Sequence, residues 1–274
     1  MNGVNSVTLS AAASAFDRIA SSYDDVFTHS WIGRAQRKQV WAKLLAAFLS
    51  GQRVLELNCG TGEDARFLAK RNRSVVACDV SPSMIDIARR RDLTEGRLAN
   101  LEYLQLANED LGLFFSREHS FDGAFSNFSG LNCVADLGPV ATILASLVRP
   151  GGRLVLCLWS RFCLAELIWY LLHGQPKKAV RRISGTATAK VAGLTIPVSY
   201  PTVRAVRRAF SPWFHLESRA AIGLFVPPSY AEQWIRKHKT FLAHMESLER
   251  VFWEWPVLRG IGDHILLEFV RCKP

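Results

Sequence analysis

Val54-Leu55-Glu56-Leu57-Asn58-Cys59-Gly60-Thr61-Gly62-Glu63-Asp64 reads as an apolar strand closed by an acid, then a tight glycine turn, then an acidic helix start. Gly60 and Gly62 have no Cβ, so the backbone can take a positive φ and approach a ligand at close range. Followed by Ala65, they also satisfy the loose G-x-G-x-x-A pattern of dinucleotide sites. Charge separates the readings. A pyrophosphate seeks the positive end of a helix dipole, and Glu63 and Asp64 put carboxylates in that first turn. The stretch therefore disfavours a phosphate and suits a ligand with a cationic centre and one small carboxylate. Glu56 is expected to act on the ligand's ammonium, directly or through water, and the turn amides on its carboxylate.

S-adenosylmethionine (SAM) has that charge distribution, and Glu56-Leu57-Asn58-Cys59-Gly60-Thr61-Gly62 resembles the first motif of class I SAM-dependent methyltransferases. The family usually has glycine where this chain has Asn58. Asparagine is among the few other residues that accept a left-handed backbone, so the turn is expected to survive. The alternative is a plain strand-to-helix junction with no ligand.

Downstream context favours the ligand. Ser74-Val75-Val76-Ala77-Cys78-Asp79 is a β-branched run ending in an acid, and Ser81-Pro82-Ser83-Met84 reads as a cap and helix start. An acid about 20 residues past the glycine turn bonds ribose hydroxyls in doubly wound folds. Asp79 takes that role or caps the helix, for which Ser81 is better placed. Met84 lies near the adenine or in the core. The third strand, Leu101 to Leu106, leads into Ala107-Asn108-Glu109-Asp110. The resemblance implies an adenine contact here, and with Ala107 where the family's acid is expected, it falls to Asn108, Glu109 or backbone amides. The fourth strand, Phe121 to Asn127, brings Ser126 to the cofactor and Asn127 and Asn132 near the acceptor. The fifth, Gly152 to Leu158, follows the Arg149-Pro150-Gly151 stop.

These units describe an α/β fold with a doubly wound, mostly parallel seven-stranded sheet, Rossmann-like, under a helical substrate cap. The expected organisation is N-terminal cap helices over 1–50, a SAM-binding core over 51–160, an apolar and basic cap insertion over 161–200, and completion of the sheet over 201–274 with a helical insertion at 221–262. The 274 residues, 49% of them hydrophobic, are ample for one such domain. No segment approaches the roughly 20 apolar residues of a membrane span, and Met1 to Ser6 lacks the charged start of a secretory signal. Six scattered cysteines without metal-ligand spacing point to a reducing cytoplasm and no metal.

Three flanking segments are expected to set the acceptor. Phe16-Asp17-x-x-Ala20-x-x-Tyr23-Asp24 is similar to the start of many small-molecule methyltransferases, including those of quinone biosynthesis. The resemblance makes Tyr23 a lid over the cofactor; the alternative is a packing aromatic. Residues 162–182 join an apolar helix to a basic cluster, and no acid occurs between Glu166 and Glu217 although much of the net charge of +10 lies there. Such a segment suits peripheral insertion at an anionic membrane, or a buried cap helix beside a solvated basic face. The chain after Pro201 supplies two closing strands, Phe214 to Ser218 and His264 to Val270, around the long insertion.

The expected activity is SAM-dependent methyl transfer to oxygen or nitrogen of a small, hydrophobic or lipid-like acceptor. Methyl transfer rests mainly on positioning, with a base needed only for a protonated acceptor. Asn127, Asn132, Tyr230 and His173 are the catalytic candidates, with His215, His238 and His244 as further bases. The alternatives are a nucleic-acid methyltransferase, disfavoured because the fourth strand lacks paired prolines, and a non-catalytic SAM-fold protein that binds a membrane or partner.

Overall fold

The computed structural model describes residues 10–115 and 119–273, so the reading of Met1 to Ser6 lies outside the described residues. Helix α1 (Ala11–Tyr23) and a π-turn (Asp24–Thr28) lead into α2 (Trp31–Ala47). Strands β1 (Arg53–Leu57), β2 (Ser74–Asp79), β3 (Leu101–Gln105), β4 (Phe121–Ser126) and β5 (Val148–Trp159) alternate with α3 (Glu63–Ala69), α4 (Pro82–Thr94), α5 (Leu111–Phe114) and α6 (Leu137–Leu147). After β5 come α7 (Leu164–Leu172), α8 (Pro176–Ala179) and a hairpin of β6 (Thr186–Val191) and β7 (Leu194–Ser199). The chain closes with α9 (Val203–Phe210), β8 (Phe214–Ile222), α10 (Glu232–Ile235), α11 (Lys239–Phe252) and β9 (His264–Arg271).

The main sheet has seven strands in the order β3-β2-β1-β4-β5-β9-β8. Neighbours from β3 to β5 pair in parallel, and β9 runs antiparallel between β5 and β8. The doubly wound, mostly parallel seven-stranded sheet is thus present. Residues 54–57 of β1 are buried on both faces, as helices on both sides of a parallel sheet require. On one face α2 and α4 pack Val40, Leu44, Phe48 and Ile85 against Val54, Val75 and Val155. On the other, Leu144, Val206 and Phe210 of α6 and α9 cover Leu55, Leu154 and Phe269.

Two stretches depart from the sequence expectation. The region after α7 forms the β6–β7 hairpin, turned at Ala192 (φ 49°) and Gly193 (φ 77°). Strand β8 runs on to Ile222, four residues past Ser218, because it pairs along the full length of β9. Among the described residues, no helix is long and apolar enough to cross a membrane, and no group of three or more His, Cys, Asp or Glu is placed to hold a metal.

The glycine turn follows from packing as much as from conformation. Asn58 (φ 56°), Gly60 (φ 53°) and Gly62 (φ 76°) are all left-handed. A Cβ on Gly62 would lie 2.6 Å from Tyr103 ring and hydroxyl atoms, whereas one on Gly60 would meet open space. Gly62→Ala is therefore expected to destabilise the chain by about 2–4 kcal/mol, from overpacking added to backbone strain. Gly60→Ala is expected to cost about 1 kcal/mol, from strain alone. Denaturant melts of both variants measure the difference; equal losses would show that the Tyr103 contact yields freely.

Candidate functional site

A cavity of about 670 Å³ opens at the carboxyl edge of the parallel strands, beside the reversal of strand order between β1 and β4. Ligands of open α/β sheets bind at that switch point. Glu56, Asn58, Gly60, Thr61, Asp79, Val80 and Met84 line one part of the cavity, with Leu106 to Asp110 beside them. Phe16 of α1, Cys133, Trp159 and the hairpin residues Ala189, Val191 and Ile196 line another, and these pack as one apolar cluster.

Glu56 is 1% exposed, and its Oε2 has no hydrogen-bond partner among the described residues. Burial and the nearby Asp64 push its carboxyl well above the usual range, against the pull of Arg37. Arg37 enters from α2 fully enclosed, with Nη1 2.6 Å from Asp64 Oδ2 and its guanidinium 4.7 Å from the Phe128 ring centre. Its Nε is likewise without a partner. Asp64 also accepts from Trp41 Nε1 (2.6 Å) and Asn127 Nδ2 (2.8 Å), while Glu63 pairs with Arg91 at 3.2 Å. Both acids of the first turn of α3 therefore have cationic partners, whereas Glu56 is a fully buried acid of the cavity with one oxygen unpartnered among the described residues.

Asp79 fastens the turn to β2: Oδ2 accepts from the Gly60 amide and Oδ1 from the Ser81 amide, each at 2.9 Å. Ser81 caps α4 by accepting from the Met84 amide at 3.2 Å. The N-terminal aspartates tie α1 and the π-turn onto this assembly. Asp17 accepts from Ser81 Oγ (2.7 Å) and the Ser83 amide (2.9 Å). Asp24 accepts from Thr61 Oγ1 (2.6 Å) and pairs with Arg91. Tyr23 reaches the cavity between them, its hydroxyl pushed up to about 12 by burial.

His264, the first residue of β9, sits in register between Trp159 of β5 and Ile222 of β8. Its ring meets Phe128 edge-on, with centres 5.5 Å apart, and it lines the cavity. Burial lowers its pKa to about 4 despite the adjoining Asp263, whose Oδ2 lies 3.4 Å from His264 Nδ1. Asp263 is locked in turn: Arg182 Nη2 donates to it at 2.7 Å and Gln36 Nε2 at 3.3 Å. Burial would raise the Asp263 carboxyl, but the adjoining His264 ring when protonated, the Arg182 guanidinium and the hydrogen bonds from Arg182 and Gln36 hold it below the usual range.

Of the residues singled out in the sequence, Tyr23, Glu56, Asn58, Gly60, Asp79, Met84, Asn108, Glu109 and Asn127 line this cavity. Ser126 and Gly62 do not: Ser126 Oγ supports Asn58 Oδ1 at 3.3 Å, and Gly62 lies against Tyr103. The amides of Gly60 and Gly62 are engaged by Asp79 and the Cys59 carbonyl, so these two of the turn amides are not free to receive a ligand carboxylate.

Asn132 is a framework residue, donating to the Ser199 carbonyl (2.7 Å) and accepting from the Trp159 amide (3.0 Å). Asn127 is similarly occupied by Asp64 and the Phe128 amide. His173 is exposed at the end of α7, stacked on Trp169, and Tyr230 packs against Trp169 and Tyr170 outside the cavity lining. His215, His238 and His244 are exposed. Arg37, Asp263 and His264 escaped the sequence reading. The one available signal was an Asp-His pair at the start of the closing strand, which as an antiparallel neighbour of β5 begins at the carboxyl edge of the parallel strands.

Residues 54–152 match the family model described as a methyltransferase domain. The chain is 32% identical over 145 residues to a demethylmenaquinone methyltransferase of Clavibacter sepedonicus, covering 53% of this chain and 56% of the relative. It is 30% identical over 179 residues to the tRNA 5-carboxymethoxyuridine methyltransferase of Escherichia coli, covering 62% and 67%. Among solved structures it resembles Haemonchus contortus phosphoethanolamine N-methyltransferase 2, bound to phosphomonomethylethanolamine and S-adenosylhomocysteine. That match has a TM-score of 0.58 at 16% identity and covers 94% of this chain and 57% of the other. The chain spans between about half and two thirds of the length of these curated relatives.

Proposed function

The chain belongs to the class I SAM-dependent methyltransferases, and from that premise we propose that it methylates oxygen or nitrogen of a small, hydrophobic or lipid-like acceptor. The observation that carries the acceptor class is the apolar wall formed by Phe16, Trp159, Val191 and Ile196 beside the glycine turn. A wall of this kind suits a largely apolar ligand fixed by a few polar groups.

The residues present fit SAM. Glu56 Oε2, buried and without a partner, suits an ammonium, and the open space over Gly60 leaves room for close approach. Asp79 is at hand for ribose hydroxyls, Met84, Asn108 and Glu109 for adenine, and Arg37 Nε for the carboxylate that the Gly60 and Gly62 amides are not free to take. In this reading Tyr23 closes over the same end. SAM, when bound, supplies an electrophilic methyl group. The chain's own task is then to orient the acceptor and, for a hydroxyl, to receive its proton. His264 is the neutral base at the apolar wall. His264 Nδ1 lies 3.4 Å from Asp263 Oδ2 without a hydrogen bond among the described residues; a proton placed there faces the carboxylate and leaves Nε2 to accept.

A nucleic-acid acceptor fits less well. Arg181 and Arg182 are engaged by Glu166 and Asp263, while Arg204, Arg207 and Arg208 sit on α9, which packs against α6 and the sheet. The basic window thus yields no continuous basic track beside the cavity. The test is calorimetry with SAM and S-adenosylhomocysteine, followed by transfer from tritiated SAM to naphthols, naphthohydroquinones, naphthylamines and bulk tRNA. Saturable binding with label in the apolar acceptors is the expected result. Label confined to tRNA would overturn the acceptor class, and absence of SAM binding by folded protein would overturn the whole reading.

A further inference from the structure

Helix α7 is built inside out. Its one acid, Glu166, is 1% exposed and held by Arg182 Nη2 at 2.5 Å and by Arg181 Nε at 2.9 Å. Leu164, Ile168, Leu171 and Leu172, at i, i+4, i+7 and i+8, share the opposite face. Ile168, Leu171 and Leu172 are 49%, 53% and 80% exposed. Val180 and Ile183, each about half exposed, follow in the turn after α8, and Lys177 and Lys178 are exposed on α8 itself. A helix on a protein surface ordinarily turns its leucines inward and its charges outward. The reversal here is anchored, because the buried carboxylate is fixed by two guanidinium groups and cannot rotate out without breaking both pairs.

We propose that the outward face of α7, with Lys177 and Lys178, docks this chain on an anionic phospholipid membrane. An exposed apolar face of this kind marks an interaction site, and charge selects the occupant. Lys177 and Lys178 are exposed on α8, with the Lys178 ammonium 5.7 Å from the centre of the Tyr170 ring of α7, Arg181 remains partly exposed, and no acid occurs in the sequence between Glu166 and Glu217 to offset them. A second copy meeting the same face about a two-fold axis would set lysine against lysine. A lipid surface with negative headgroups supplies the complement to both parts, taking the side chains of Ile168, Leu171 and Leu172 among its acyl chains and the lysines at its headgroups. In sequence, α7 leads through α8 into the hairpin whose Ala189, Val191 and Ile196 line the cavity. Membrane docking goes beyond the methyl-transfer reading and stands without it, since vesicle binding calls for neither SAM nor an acceptor.

The experiment is co-sedimentation of the full chain with phosphatidylcholine vesicles and with vesicles of equal parts phosphatidylglycerol and phosphatidylcholine, at low and raised salt. Parent protein is expected to pellet with the anionic vesicles and to be released by salt. Lys177→Gln with Lys178→Gln is expected to weaken binding by about an order of magnitude or more, at roughly fivefold per lysine. Leu171→Asp with Leu172→Asp is expected to abolish it. All four side chains are exposed, so the variants should keep the parent melting temperature and, where the parent binds SAM, its SAM affinity. Failure of the parent to pellet with anionic vesicles overturns the proposal, as does unchanged pelleting by the leucine variant. A parent dimer that the leucine variant converts to monomer also overturns it, by assigning the face to a second copy.

Discussion

Glu56→Gln is expected to weaken SAM binding about 10²–10³-fold while raising the melting temperature of the free chain at neutral pH. The loss follows from removing one member of a buried charge pair, which typically costs about 3–5 kcal/mol and leaves the ligand ammonium without its counter-ion. The gain follows from the free chain, where Oε2 is buried without a partner and the carboxyl lies well above its usual range. Between the ordinary carboxylate range and that raised value, the native chain holds a proton that the unfolded chain has released. Native stability therefore falls as pH rises through this window, and glutamine removes the penalty. The advantage of the variant should vanish below the ordinary carboxylate range. The same linkage predicts that SAM binding by the parent releases a proton at mildly acidic pH, so the calorimetric enthalpy should track the ionisation enthalpy of the buffer. An affinity unchanged in Glu56→Gln would remove Glu56 from the cofactor site.

The sheet was legible because parallel strands buried on both faces write themselves as short apolar runs, and five of these are punctuated by glycine turns, caps and stops. Ser81 and Pro82 announce α4, and Asn58 announces its own left-handed backbone. The site was legible where one strand end carries one acid, as at Glu56 and Asp79. It was hidden where function arises from tertiary pairing. Arg37 lies in Arg34-Ala-Gln-Arg37-Lys38, where nothing local distinguishes the one cation that burial against Asp64 draws into the cavity. Asp64 read only as a helix-start acid, because the groups that engage it come from distant parts of the chain: Arg37 and Trp41 from α2, and Asn127 from the end of β4. The hairpin was missed, although the Ala192-Gly193 turn between alternating residues signals it; Pro197 within β7 weakens that signal, since proline is uncommon in a strand interior. The apolar helix at 164–172 was visible, but its inverted orientation was not, since only the Glu166 pairs reveal which face points inward.

His264→Gln is expected to lower the rate of methyl transfer to a hydroxyl acceptor by about 10²–10⁴-fold, the range for loss of a positioned base, with SAM affinity unchanged. Glutamine keeps a side-chain dipole near the same place but cannot take up a proton, whereas the imidazole becomes an imidazolium beside the Asp263 carboxylate. Asp263 is fixed by Arg182 and Gln36, so it is already oriented for that charge. With a pKa of about 4, His264 is neutral across the physiological range, and the parent rate should fall only as pH drops toward that value. The variant should lack this limb. Stability gives an independent readout. Between the ordinary histidine value and about 4 the unfolded chain binds a proton that the native chain does not. Parent stability must therefore fall as pH decreases through the window, with a shallower slope in the variant. A framework role for His264 would move the stability slope alone. A base role moves the slope and the rate limb together, and spares a naphthylamine acceptor that arrives uncharged. Equal rates for parent and variant on a naphthol acceptor would leave the proton to water and remove His264 from the chemistry.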